Sequence, residues 1–115
     1  MALISLLLFL LAIALGLTTL IIGQRRRRPP VALGYLHGAT ALSALGLLIV
    51  RVATGPENLL LNSAVVVFLL AALGGLFTLA VRQRDEPPIL ALILLHATAG
   101  IVATSLLAAG VHAGG

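Results

Sequence analysis

The chain has no cysteine, no tryptophan and no lysine. Without cysteine there is no disulfide, zinc knuckle, iron–sulfur cluster or thiol chemistry. Charge is scarce too: 9% of residues carry one, against about a quarter in a soluble domain. Aromatics are limited to three Phe and one Tyr, and no basic stripe alternates with them. The net charge of +4 is therefore no sign of nucleic-acid binding, because the Arg residues sit in short connections between apolar runs. The sequence holds no paired carboxylate, no Ser-His-Asp set and no glycine-rich phosphate loop, so no stand-alone enzyme chemistry is legible.

What the chain has is apolar surface. It is 61% hydrophobic, with a mean hydropathy of +1.22. A soluble fold of 115 residues has too little interior to hide this much, so lipid is the expected solvent. Four stretches reach the roughly 20 apolar residues a spanning helix needs: Ala2–Gly23, Val31–Ala53, Asn58–Val81 and Ile89–His112. Between them lie QRRRRPP at 24–30, TGPE at 54–57 and RQRDEPP at 82–88. Proline is tolerated at a helix start, so each proline pair closes a connection and opens a helix. Thr54 and Glu57 have capping-box spacing, which predicts an early start for helix 3.

Arginine sets the expected orientation. The first and third connections carry Arg25, Arg26, Arg27, Arg28, Arg82 and Arg84, and the other side only Arg51. Short Arg-rich loops stay in the cytoplasm. Loops 24–30 and 82–88 are then cytoplasmic, with both termini outside a bacterial-type inner membrane. The positive charges follow the first apolar run instead of preceding it, so this run is read as a span and not as a signal peptide.

A shift of 59 residues lays the second half on the first. Phe9–Arg25 reads FLLAIALGLTTLIIGQR and Phe68–Arg84 reads FLLAALGGLFTLAVRQR, identical at ten of 17 positions. The same shift places Leu36–His37 on Leu95–His96, Ala44 on Ala103 and Leu47–Leu48 on Leu106–Leu107. The repeats cover about 1–53 and 58–112 of a single transmembrane domain. Each spans the membrane twice, so the copies are parallel and not inverted. The expected fold is an all-α membrane protein: a four-helix up-down bundle of two parallel-repeat hairpins.

No Asp or Glu lies in a span, and the deep ionisable residues are His37 and His96. Each lies about 10 Å in from the cytoplasmic end of its helix, at 1.5 Å per residue. Small residues beside them, such as Ala44 and Ala103, mark a close-packed side, so both rings are expected to point inward. In an up-down bundle helices 2 and 4 share a diagonal of about 11–14 Å. Two imidazoles on one iron need backbones about 12–13 Å apart. Gly16 and Gly75 lie at the same depth, about 12 Å in, and are expected to leave room beside a planar macrocycle.

The stretches Leu36-His37-Gly38 with Gly46-Leu47, and Leu95-His96-Ala97 with Leu106-Leu107, resemble those of membrane b-type cytochromes of the cytochrome b561 class. The resemblance covers helices 2 and 4. It implies one haem b with His37 and His96 as axial metal ligands. That family typically has two haems and four histidines, and this chain has only one deep pair. By the same analogy Arg25, Arg26, Arg82 or Arg84 would pair with haem propionates. Thr19 and Thr78 would donate to a propionate or to a His ring. An electron-carrying subunit would meet a quinone or redox partner.

Two further readings stand beside this one. Each His could instead bond a backbone carbonyl or hydroxyl across helices, in an accessory subunit of a larger membrane complex or a homo-oligomer. A chlorophyll magnesium would also use one His per helix, although the scarcity of aromatics speaks against it. The lack of an intramembrane carboxylate and of discontinuous helices argues against transport.

Overall fold

A computed structural model describes residues 1–26, 30–84 and 89–114. Arg27 and Arg28 of the first basic loop, Pro29, and the Asp85-Glu86-Pro87-Pro88 stretch lie outside the described residues. Among the described residues the regular structure is α-helical: α1 Ala2–Arg26, α2 Val31–Thr54, α3 Leu59–Gln83 and α4 Leu90–His112. Each helix has the length and apolarity to cross a bilayer. The chain is thus an all-α, four-helix, multi-pass membrane protein whose apolar helices contact lipid. Only 11% to 17% of each apolar window is buried within the protein, which leaves most of the apolar surface to that lipid.

The helix ends follow local chemistry. α1 runs past the apolar stretch through Arg25 and Arg26, because Gln and Arg are good helix formers and cations suit a C-terminal turn. α3 likewise extends to Gln83. Pro30 is the residue before α2, with φ −68° and ψ 126°.

The capping box predicted at Thr54 and Glu57 does not form. Thr54 is the last residue of α2, and its hydroxyl donates to the Val50 carbonyl at 2.7 Å. A capping residue must itself be non-helical, and Thr54 is already committed to the preceding helix. Asn58 caps α3 instead, its side-chain oxygen accepting from the N–H groups of Leu60 at 3.1 Å and Leu61 at 3.2 Å.

The chain divides into two compact units, Met1–Gly55 and Pro56–Gly115, each an antiparallel helical hairpin. In the first, the Ser5 hydroxyl donates to the Ala44 carbonyl at 2.8 Å. Seven residues further along α1, Ala12 meets His37, seven residues back along α2. Seven residues are two helical turns, so one stripe of α1 faces one stripe of α2 throughout.

The buried positions of this hairpin are Ala2, Ser5, Phe9, Ala12, Ala44, Leu45 and Leu48. In the second they are Leu61, Ala64, Phe68, Ala71, Ala103, Thr104 and Leu107, with Gly110 in addition. Every one of the first seven matches one of the second at a shift of 59. The duplication therefore reproduces the packing pattern as well as the letters. The helix ends away from the Arg-rich connections have diverged. Ser5 binds Ala44 in one hairpin, whereas Asn58 donates to the Gly110 carbonyl at 3.2 Å in the other. Gly110 stands where the first hairpin has Arg51.

Candidate functional site

His37 and His96 are each the seventh residue of their helix, and each is half-buried. His37 Nδ1 donates to the carbonyl oxygen of Ala12 on α1, at 2.6 Å. His96 Nδ1 donates to the carbonyl oxygen of Ala71 on α3, also at 2.6 Å. A carbonyl oxygen only accepts, so in both rings Nδ1 carries the proton. In the neutral imidazole the lone pair then resides on Nε2.

Gly16 and Gly75 belong to the same construction. A Cβ at Gly16 would lie 2.9 Å from Cε1 and 3.0 Å from Nδ1 of His37. A Cβ at Gly75 would lie 3.0 Å from Cε1 of His96. The clearance expected beside a macrocycle is thus taken up, in each hairpin, by that hairpin's own imidazole. Gly74 adds a difference between the copies: its Cβ would meet the Cβ of His96 at 3.3 Å, and the matching residue in the first hairpin is Leu15.

The bonds made by the other predicted residues are local to their own helices or helix ends. Thr19 donates to the Leu15 carbonyl at 2.7 Å and Thr78 to the Gly74 carbonyl at 2.9 Å, each within its own helix. This back-bonding is the ordinary habit of Thr in an apolar helix. Arg25 and Arg26 are exposed in the last turn of α1. Arg82 lies in the last turn of α3, and exposed Arg84 follows it, its N–H bonded to the Val81 carbonyl at 3.2 Å. At the opposite ends of the helices, the Arg51 guanidinium folds so closely over Gly55 that no Cβ would fit there, and His112 is exposed at the end of α4.

Sequence reasoning did not find Ala12 and Ala71 as acceptors, since any residue type offers a carbonyl. A usable signal was present: each stands four residues before a repeat-matched glycine, and small residues at that spacing mark close helix approach. Nor did it find the Ser5 and Asn58 contacts, which have no counterpart in the other copy. Among the described residues no buried side-chain nitrogen or oxygen lacks a partner, and no three His, Asp or Glu side chains converge. A shallow groove of about 290 Å³ on α3, lined by Leu73, Leu76, Phe77 and Ala80, is apolar and offers no ligand donor.

Fold and site together define a multi-pass α-helical membrane protein with one imidazole fixed across each of its two hairpins. No protein-family model, no curated protein and no solved structure matches the chain.

Proposed function

We propose that the protein is a small membrane b-type cytochrome, or the haem-bearing anchor of a redox complex, with His37 and His96 as the axial ligands of one haem b. The observation that carries this reading is the orientation of the rings. Metal-ligating His commonly donates its second ring N–H to a backbone carbonyl, which fixes the tautomer and raises ligand basicity. Both imidazoles make that bond, in equivalent positions of two hairpins. The donor set therefore suits haem iron: in each ring Nδ1–H is bound to a carbonyl, and Nε2 is the nitrogen that would meet a metal. That the two rings share one iron rests on the repeat and on the up-down packing expected from the sequence.

Haem would supply one-electron transfer, with its potential set by the axial ligands and by burial. The chain's own part is to hold the rings and exclude water. Arg25, Arg26, Arg82 and Arg84, at the C-terminal ends of α1 and α3, suit anionic propionates. The Arg-rich connections favour a cytoplasmic location for those ends, with both termini outside an inner membrane. Electrons would pass to or from a quinone or a partner subunit.

A second reading is supported by the glycine contacts. An imidazole that fills the space over Gly16 or Gly75 and bonds a carbonyl across the hairpin meets every requirement of a purely structural lock. The chain would then be an accessory subunit of a larger membrane complex or of a homo-oligomer.

A reduced-minus-oxidised visible spectrum of protein purified from haem-sufficient cells separates the two. The cytochrome reading expects b-type bands that vanish in both His37→Ala and His96→Ala. A colourless wild type with co-purifying partners supports the accessory subunit and ends the cytochrome reading.

A further inference from the structure

In an α-helix every Cα–Cβ bond tilts toward the N-terminus. A side chain on one residue therefore lies over the turn that holds the carbonyl four residues before it. That carbonyl also accepts the helical N–H of the same residue. Where the residue is glycine, the carbonyl stays open on its outer side to a second donor. Ala12 with Gly16, and Ala71 with Gly75, form such pairs. In each case the second donor is present: the Nδ1–H of His37 or His96, at 2.6 Å, with Cε1 of the ring 2.9 Å from an ideal Cβ at Gly16 and 3.0 Å from one at Gly75.

We propose that Gly16 and Gly75 are positioning residues that impose the Nδ1–H tautomer on His37 and His96. They do so by uncovering a helix carbonyl and seating the ring against it. Each ring then keeps its lone pair on Nε2, the atom used for binding iron. The effect on haem rests on the cytochrome reading; the effect on the tautomer does not. The two glycines thus belong to the imidazoles and not to the faces of a macrocycle. This assignment also accounts for which features the two copies share. The alanine, the glycine and the histidine recur unchanged, while the contacts at the other end of each hairpin differ.

The sequence provides its own controls. A Cβ on Gly46, on the same helix as His37, or on Gly100, four residues after His96, meets nothing within 4 Å. Gly46→Ala and Gly100→Ala thus add the same methyl group without touching a ring.

The test is ring nitrogen-15 NMR of the full chain in bilayer-like micelles, prepared from haem-deficient cells. Wild type is expected to show protonated Nδ1 and unprotonated Nε2 at both His37 and His96. Gly16→Ala should move the His37 ring to the Nε2–H form or to exchange between forms, and leave His96 unchanged. Gly75→Ala should do the reverse, and the two control variants should change neither. Wild-type rings with Nε2 protonated would overturn the proposal without recourse to any variant. So would a folded Gly16→Ala protein with an unaltered His37 signature.

In haem-sufficient cells, Gly16→Ala and Gly75→Ala should lower bound haem by about tenfold or more, the range seen when a ligand's orienting partner is lost. A wild type that binds no haem but shows the expected tautomers refutes the cytochrome reading and leaves this inference standing.

Discussion

At the scale of single residues, the two hairpins differ in how they use polar groups, and the difference sets what each substitution should do. Ser5 is fully buried and donates to Ala44 across the first hairpin, yet its counterpart in the second hairpin is Ala64. Alanine already fits this layer, so Ser5→Ala removes one hydrogen bond and opens little space. Interhelical hydrogen bonds in membranes contribute about 0.6 kcal/mol on average. Ser5→Ala should therefore cost no more than about 1 kcal/mol in a reversible micelle-unfolding titration. Asn58 does more, because it caps two N–H groups of α3 and also donates to Gly110. Asn58→Ala should cost about 1–2 kcal/mol in the same titration, and a value near zero would mean that the cap contributes nothing. The histidines were legible as the deep ionisable pair, because no other such residue lies far from a helix end. Their acceptors were not, because a backbone carbonyl leaves no mark on residue type.

At the scale of the helical element, apolar runs and punctuation fixed four helices to within a few residues. The errors cluster where polar residues continue a helix past its apolar part. Gln24, Arg25 and Arg26 extend α1, and Arg82 and Gln83 extend α3. Hydropathy cannot see such turns, because it reports burial in lipid and not backbone conformation. The capping-box expectation failed for a related reason: the spacing of Thr54 and Glu57 was right, but Thr54 was already part of α2. Packing between elements gives a sharper test than their boundaries. Gly110 lets the start of α3 press against the end of α4; a Cβ there would lie 2.6 Å from Leu61 Cδ2 and 3.3 Å from Leu60 Cβ. Leu61 is fully buried and has no room to retreat. Gly110→Ala should therefore destabilise the second hairpin by about 1–3 kcal/mol, as overpacking does. Gly46→Ala, which meets nothing within 4 Å, should be tolerated. Equal effects of the two substitutions in thermal unfolding would contradict the close approach at Gly110.

At the scale of the whole molecule, the duplication was the most informative feature of the sequence. It predicted two equivalent hairpins, and the buried positions repeat with the same 59-residue shift. It did not predict that each histidine would be held within its own hairpin, because the letters say which residues recur and not which helix they face. Orientation in the membrane is open to a direct test, since the chain has no cysteine and any introduced one is the sole thiol. Gln24→Cys and Gln83→Cys should be shielded from a membrane-impermeant thiol reagent added to intact cells, and Glu57→Cys should react. The opposite pattern would reverse the topology drawn from Arg25, Arg26, Arg82 and Arg84.

The central functional claim is that two histidines from two copies of one hairpin serve a single iron. Haem content per chain, measured by pyridine haemochrome on protein from haem-sufficient cells, tests it most directly. One haem per chain is predicted for the wild type, falling to none in His37→Ala and in His96→Ala alike. A wild-type ratio of zero, or a ratio left unchanged by either substitution, would contradict it.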